Sequence, residues 1–177
     1  MFLLKYFDKK SESETKLAIK FRINYLVRKN KGIIMAKLKD LLKDKEFHFV
    51  ITGTNVLDTA KFMNSKLIGA VPVLGEGGTL KGIFSERDLL SRCISKDVDL
   101  KSTLVDDVMT KKVIVIESHD TPEYCLHILK QENIRHIPII EGKELIGMLS
   151  IRDLLLYDMK LKEEKIDLLK AYIRYSG

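Results

Sequence analysis

Gly82-Ile83-Phe84-Ser85-Glu86-Arg87-Asp88-Leu89-Leu90 and Gly147-Met148-Leu149-Ser150-Ile151-Arg152-Asp153-Leu154-Leu155 share Gly, Ser, Arg, Asp, Leu and Leu at the same offsets. Internal similarity of this kind governs the whole fold, so its extent is the first thing to establish. Upstream, with one extra residue in the first copy's turn, Val71-Pro72-Val73 lies on Ile137-Pro138-Ile139. Ala60, Phe62 and Met63 lie on Leu126, Ile128 and Leu129. The lead-ins also match, Leu38-Lys39-Asp40-Leu41-Leu42 on Leu104-Val105-Asp106-Asp107-Val108. Two copies of one unit, roughly 36–96 and 102–160, account for most of the 177 residues.

Each copy predicts the same element order. A short helical lead-in precedes an apolar strand (Phe47 to Ile51; Val113 to Ile116) and a helix (Asn55 to Lys66; Thr121 to Glu132). Thr121 before Pro122 supplies an N-cap with proline at the first helical position. Two strands follow, Ala70 to Leu74 with Leu80 to Phe84, and His136 to Ile140 with Leu145 to Leu149, joined by glycine-containing turns. A second helix begins at Ser85 or Ser150. A three-stranded sheet with helices on one face leaves its other face uncovered. The fold expected is therefore α+β: two pseudo-symmetric β-α-β-β-α units packed sheet to sheet around a shared core. The divisions are a basic extension 1–34, a first unit 35–100, a second unit 101–160 and an amphipathic helix 161–177, where Ile166, Leu169 and Ile173 recur at helical spacing.

Charge is confined to one end. Residues 1–34 carry nine basic and three acidic side chains, which accounts for the whole net charge of +6, and from Met35 onward there are 22 of each sign. The folded part therefore gives no electrostatic case for nucleic acid or an acidic membrane surface. The extension has no apolar core of signal-peptide length. It reads as an amphipathic contact helix through Leu17, Phe21, Tyr25 and Val27, as a loosely held extension, or as sequence ahead of a natural start at Met35. No apolar run approaches the ~20 residues of a membrane-spanning helix. Cys93 and Cys125 lack CxxC or ligand spacing and read as buried small hydrophobes, in keeping with a reducing cytoplasm.

Ser85-x-x-Asp88 and Ser150-x-x-Asp153 fit a capping box. Capping alone requires neither the recurrent Arg before each Asp nor the preceding Gly. A helix N-terminus suits phosphate, and a carboxylate can accept two hydrogen bonds from a cis-diol, so the pattern also describes a grip for a nucleotide ribose.

On these residues the chain resembles a tandem pair of CBS domains, the Bateman module named after cystathionine beta-synthase. Val105-Asp106-Asp107-Val108-Met109-Thr110 is similar to the family's lead-in, the two h-P-h segments (h, hydrophobic) to its central strand, and the two G-h-h-S-x-x-D stretches to its signature. The resemblance implies clefts between paired units that bind AMP, ADP or ATP, or in some members S-adenosylmethionine or NAD. It implies that Asp88 and Asp153 hold ribose, with Ser85 and Ser150 at the phosphates and Arg87 and Arg152 beside them. Val71, Pro72, Ile137 and Pro138, with Thr54, Asp120 and Thr121, would line the base pocket. Arg135 and His136 stand where the first copy has Gly69 and Ala70. One cleft is therefore expected to be more basic and to bind phosphate through Arg135 and His136, the other to be weak, empty or suited to a less charged adenosyl ligand. Which Asp shares the cleft with Arg135 stays open at this level.

The four histidines show no HExxH, and the chain has no P-loop and no GxSxG. A catalytic role, a metal or a cofactor is not expected. The resemblance implies a cytoplasmic, homodimeric regulator that reports energy state to a separate protein partner. The alternatives are a constitutive assembly module, with the Ser-x-x-Asp pairs as caps only, or a sensor of S-adenosylmethionine or NAD.

Overall fold

The computed structural model describes residues 37–176, and the expectations for residues 1–34 lie outside them. The element order is α1 (Leu38–Leu42), β1 (Val50–Ile51), α2 (Val56–Ser65), β2 (Ala70–Leu74), β3 (Leu80–Ser85) and α3 (Glu86–Asp88). α3 runs on into a π-helical segment (Leu89–Cys93) and a 3-10 turn (Ile94–Lys96). The second repeat supplies α4 (Val105–Val108), β4 (Ile116–Glu117), α5 (Pro122–Gln131), β5 (His136–Glu141), β6 (Glu144–Ser150) and α6 (Ile151–Ser176).

Among the described residues the strands form two three-stranded sheets of identical topology, ordered β1-β2-β3 and β4-β5-β6. The first pair in each is parallel, Val50 opposite Val73 and Ile116 opposite Ile139. The second is an antiparallel hairpin, Val71 opposite Phe84 and Ile137 opposite Leu149. β1 and β4 are shorter than the apolar runs suggest, because only their last residues reach the parallel partner. Helix starts follow local chemistry: the Asn55 side-chain Oδ1 accepts from the Asp58 N–H at 2.8 Å, and Thr121 Oγ1 from the Tyr124 N–H at 3.2 Å. In the hairpin turns Gly77, Gly78 and Gly142 take φ of 66°, 74° and 65°, a conformation L residues avoid.

Among the described residues the buried apolar side chains form two clusters rather than the single shared core expected from the sequence. Val71, Val73 and Phe84 anchor one, and Ile137, Ile139 and Leu149 the other. Each is completed by the lead-in of the opposite repeat. Leu38 is fully buried in the second repeat's cluster, with Leu41 and Leu42 against it, whereas Val105, Val108 and Met109 belong to the first repeat's cluster. Fully burying one such side chain contributes about 1.5–3 kcal/mol, so the exchange is a substantial part of each core. Backbone bonds fix it: Leu38 N–H to the Asp120 carbonyl at 3.0 Å, and Val105 N–H to the Thr54 carbonyl at 2.8 Å. The exchange explains the motif glycines. A Cβ on Gly82 would meet Met109 and the Thr110 carbonyl, and one on Gly147 would meet Leu42.

The repeats differ in their last helix. In the first it closes at Asp97, with φ of 52°. In the second, the expected helix after Ser150 and the expected segment 161–177 are one uninterrupted helix, α6, because neither Gly nor Pro intervenes and Asp158–Lys162 adds an i,i+4 ion pair at 2.6 Å.

Candidate functional site

The first repeat's motif helix opens on a complete capping box. Asp88 Oδ2 accepts from the Ser85 N–H at 3.0 Å and from its hydroxyl at 2.6 Å, and the Asp88 N–H reaches Ser85 Oγ at 3.3 Å. Capping occupies one carboxylate oxygen only. Asp88 Oδ1 faces Arg92 Nη2 at 3.3 Å and Thr110 Oγ1 at 3.4 Å. Arg92 is itself held by the Val108 carbonyl at 2.7 Å and by Thr110 Oγ1 at 3.0 Å. Paired backbone bonds between Ile83 and Thr110, at 2.9 and 2.8 Å, tie this segment to β3. The carboxylate, buried although Glu86 and Arg87 before it are exposed, is thus oriented from both repeats.

Around it lies a cleft of about 250 Å³. Ser85, Arg87, Asp88 and Arg92 come from the first repeat, Thr110, Lys112, Val113 and Ile114 from the segment after α4, and Ile134, Arg135 and His136 from the start of β5. Asp88 is therefore the aspartate that shares a cleft with Arg135. Arg87, Arg92, Lys112 and Arg135 set four cations against one carboxylate. Arg87 also spans the repeats, Nη1 donating to the Asn133 carbonyl at 3.3 Å.

His136 is accommodated by the absence of a side chain opposite. A Cβ on Gly69 would stand 3.2 Å from its Cε1 and 3.2 Å from Glu86 Oε2. Gly69 is thus not merely an uncharged counterpart of Arg135, because it makes room for the imidazole. Burial, then the neighbouring Arg135 and Lys45, push the His136 pKa below its ordinary value, against the opposing pull of Glu86 and Asp153. The ring lines the cleft beside Arg135, and its burial favours the neutral form.

The second repeat's carboxylate has the same cap and a different neighbour. Asp153 Oδ2 accepts from the Ser150 N–H and hydroxyl, both at 2.7 Å, and meets Lys45 Nζ at 2.6 Å. Burial pushes the Asp153 pKa up, but the bonds from Lys45 and Ser150 outweigh it and hold the carboxyl below its ordinary value.

The other sequence-derived candidates lie elsewhere. Val71 and Ile137 are fully buried within the two clusters, and Pro72 and Pro138 are buried beside them in β2 and β5. Thr54 and Asp120 give their carbonyls to the exchanged lead-ins, Thr121 caps α5, and Arg152 is exposed. Arg92, Thr110, Lys112 and Lys45 were not singled out from sequence. Arg92 had a signal, lying one helical turn after Asp88, and Thr110 ends the quoted lead-in. Among the described residues no His/Cys/Asp/Glu group is arranged to hold a metal ion, and no helix is long and apolar enough to cross a membrane.

Comparison with known proteins agrees with this architecture. The chain is 32% identical over 153 residues to the CBS domain-containing protein CBSX3, mitochondrial, of Arabidopsis thaliana, covering 81% of this chain and 74% of that one. The structure resembles a putative signal-transduction protein with CBS domains from Burkholderia ambifaria, with a TM-score of 0.67 and 30% identity over 71% of this chain and 95% of that one. More distant likenesses, in fold alone, are a CBS domain protein from Pyrobaculum aerophilum complexed with AMP (TM-score 0.64, 22% identity, 72% and 99% covered) and the CBS domain pair of protein MJ0100 with 5′-methylthioadenosine and S-adenosyl-L-methionine (0.63, 21%, 71% and 98%). The CBS domain family model matches residues 38–95 and 105–160. The chain, with its two repeats, belongs to the CBS domain family.

Proposed function

We propose that this CBS pair is a non-catalytic regulatory module that binds an adenosyl nucleotide of the AMP, ADP or ATP class in the cleft around Asp88, and passes that occupancy to a protein partner. The observation that carries this reading is the convergence of one oriented carboxylate with Arg87, Arg92, Lys112 and Arg135, drawn from both repeats. A carboxylate suits a ribose diol, and an excess of guanidinium groups suits phosphate. At about 250 Å³ the cleft lies just below the ~300–1,000 Å³ usual for small-molecule sites, a size for a compact ligand partly open to solvent. The AMP held by the Pyrobaculum aerophilum protein supports the ligand class by likeness of fold.

A ligand touching Asp88 and Arg135 together favours one arrangement of the repeats, and coupling of about 1–3 kcal/mol is enough for regulation. A homodimer belongs to this reading. Leu90 and Ile94 are 63% and 51% exposed, apolar surface that a second copy would cover.

Thermal shift on the purified chain, verified free of copurified nucleotide, with AMP, ADP, ATP, NAD and S-adenosylmethionine tests the proposal. A ligand at 100 times its Kd stabilises by about 2.7 kcal/mol. The shift is expected for phosphate-bearing ligands, lost in Asp88→Ala and reduced in Arg135→Ala. A shift for S-adenosylmethionine alone assigns the other ligand class. No shift for any ligand overturns nucleotide binding and leaves the assembly module, which the complete capping boxes at Ser85 and Ser150 already favour as a second reading.

A further inference from the structure

The four cations around Asp88 are not equivalent, because one of them is already committed to the carboxylate. Arg92 Nη2 meets Asp88 Oδ1 at 3.3 Å and donates to Thr110 Oγ1 at 3.0 Å, while its Nη1 donates to the Val108 carbonyl at 2.7 Å. The Thr110 hydroxyl, accepting from Arg92, donates onward to the same Asp88 oxygen at 3.4 Å. One planar guanidinium thus ties the carboxylate to the lead-in of the second repeat. The other basic side chains stand differently. Arg87 reaches the Asn133 carbonyl at 3.3 Å, and no ion pair engages Lys112 or Arg135 among the described residues.

Capping does not require Arg92. The second motif builds the same box from Ser150 and Asp153 with Tyr157 at the corresponding place, so Arg92 is an addition to the box and not a part of it. The oxygen it faces is the one a ligand can use. Oδ2 already accepts two bonds from Ser85, at 2.6 and 3.0 Å, whereas the contacts to Oδ1 are long, 3.3 and 3.4 Å, and leave it able to take a shorter bond from an incoming hydroxyl.

We propose that Arg92 is a positioning residue for ribose recognition: held by Val108 and Thr110, it keeps Asp88 in the orientation that offers Oδ1 to a ligand hydroxyl, and it is not a phosphate contact. This rests on the reading of Asp88 as the diol acceptor. It leaves the phosphates to Arg87, Lys112 and Arg135, and it makes ribose recognition by the first repeat conditional on the docked lead-in of the second.

Isothermal titration of the full chain, Arg92→Met, Thr110→Val and Arg135→Ala with AMP, ATP and 2′,3′-dideoxy-AMP tests it, folding of each protein being checked by circular dichroism. The unaltered chain should bind AMP about tenfold more tightly than the dideoxy analogue, the difference one charge-assisted hydrogen bond makes, and ATP more tightly than AMP. Arg92→Met should bring the AMP-to-dideoxy ratio close to one and leave the ATP-to-AMP ratio unchanged. Thr110→Val, which keeps Arg92 on Val108 and carries the test if Arg92→Met does not fold, should move the ribose ratio in the same direction by less. Arg135→Ala should do the reverse, lowering the ATP-to-AMP ratio and keeping the ribose ratio. In Arg92→Met, a lowered ATP-to-AMP ratio makes Arg92 a phosphate contact, equal weakening of all three ligands makes it structural, and tighter AMP binding makes it a competitor; each overturns the proposal, as does an unchanged ribose ratio. If no ligand binds the unaltered chain, the nucleotide function falls and this role with it. If all three bind and the dideoxy analogue matches AMP, only the diol reading and this role fall.

Discussion

Gly82→Ala and Gly147→Ala alter equivalent glycines of the repeated motif, and sequence alone predicts equal effects. The structure predicts unequal ones. A Cβ at residue 82 would lie 2.8 Å from Met109 Cγ and 2.8 Å from the Thr110 carbonyl oxygen, which is backbone. Met109 is itself buried, with little room to turn away. Relief requires β3 to part from Met109–Thr110, stretching the bonds of 2.9 and 2.8 Å between Ile83 and Thr110. Overpacking costs about 1–3 kcal/mol and each weakened hydrogen bond about 1 kcal/mol, so Gly82→Ala should lose roughly 3 kcal/mol. At about 2–4 °C per kcal/mol for a domain of this size, Tm falls by about 6–12 °C. At residue 147 the Cβ meets only the tip of Leu42, Cδ2 at 2.8 Å and Cδ1 at 3.0 Å, which a change of rotamer relieves. About 1 kcal/mol, the low end of overpacking, is expected there. Urea unfolding followed by circular dichroism, with thermal melts of the three proteins, measures both. Equal losses, or a larger loss for Gly147→Ala, would refute the argument that backbone contact with the exchanged lead-in sets the cost.

Leu67 holds φ of 54° while 92% exposed, whereas its counterpart Asn133 takes φ of 52° with a residue suited to it. Leu67→Asn should therefore stabilise the protein by about 1 kcal/mol in urea unfolding. His136 has a folded pKa below its ordinary value, so the unfolded chain binds its proton first. Stability from this group is present above about pH 6.5 and is lost as pH falls from there toward the folded value. Tm measured from pH 7.5 to 5 should drop less steeply in His136→Gln. Burial pushes the Cys125 thiol up to about 12, and Cys93 is raised for the same reason. Neither should react with iodoacetamide at pH 8 until the chain unfolds, as mass spectrometry of labelled samples would report.

Much of this molecule was legible because its signals are local. The spacing that puts Val71, Val73 and Phe84 inside, the Thr121-Pro122 start and the glycine turns each act within a few residues. The repeated Ser-x-x-Asp announced its own capping box. What the sequence did not carry is which surfaces meet. Leu38, Leu41 and Leu42 at i, i+3 and i+4 say that α1 has an apolar face, but nothing in their spacing says that the face belongs to the other repeat. Lys45 was illegible for that reason, since its partner Asp153 is set by the docking of α1. His136 illustrates the same gap: its type suggested a basic group for phosphate, and nothing in the sequence shows the burial that lowers its pKa.

The exchanged lead-ins also impose an order on assembly. The first cluster, Val50 to Met109, is drawn from one unbroken stretch of chain and can close as soon as that stretch exists. The second joins Leu38 to partners between Ile116 and Leu154, so its closing contact encircles the whole of the first. Closing so long a loop is slow when the enclosed chain is a coil, and easier once that chain has condensed and holds its ends at a short separation. The early half thus serves as a template that brings Leu38 to the late half. A lesion in the first cluster, such as Gly82→Ala, should slow the maturation of a core it does not touch.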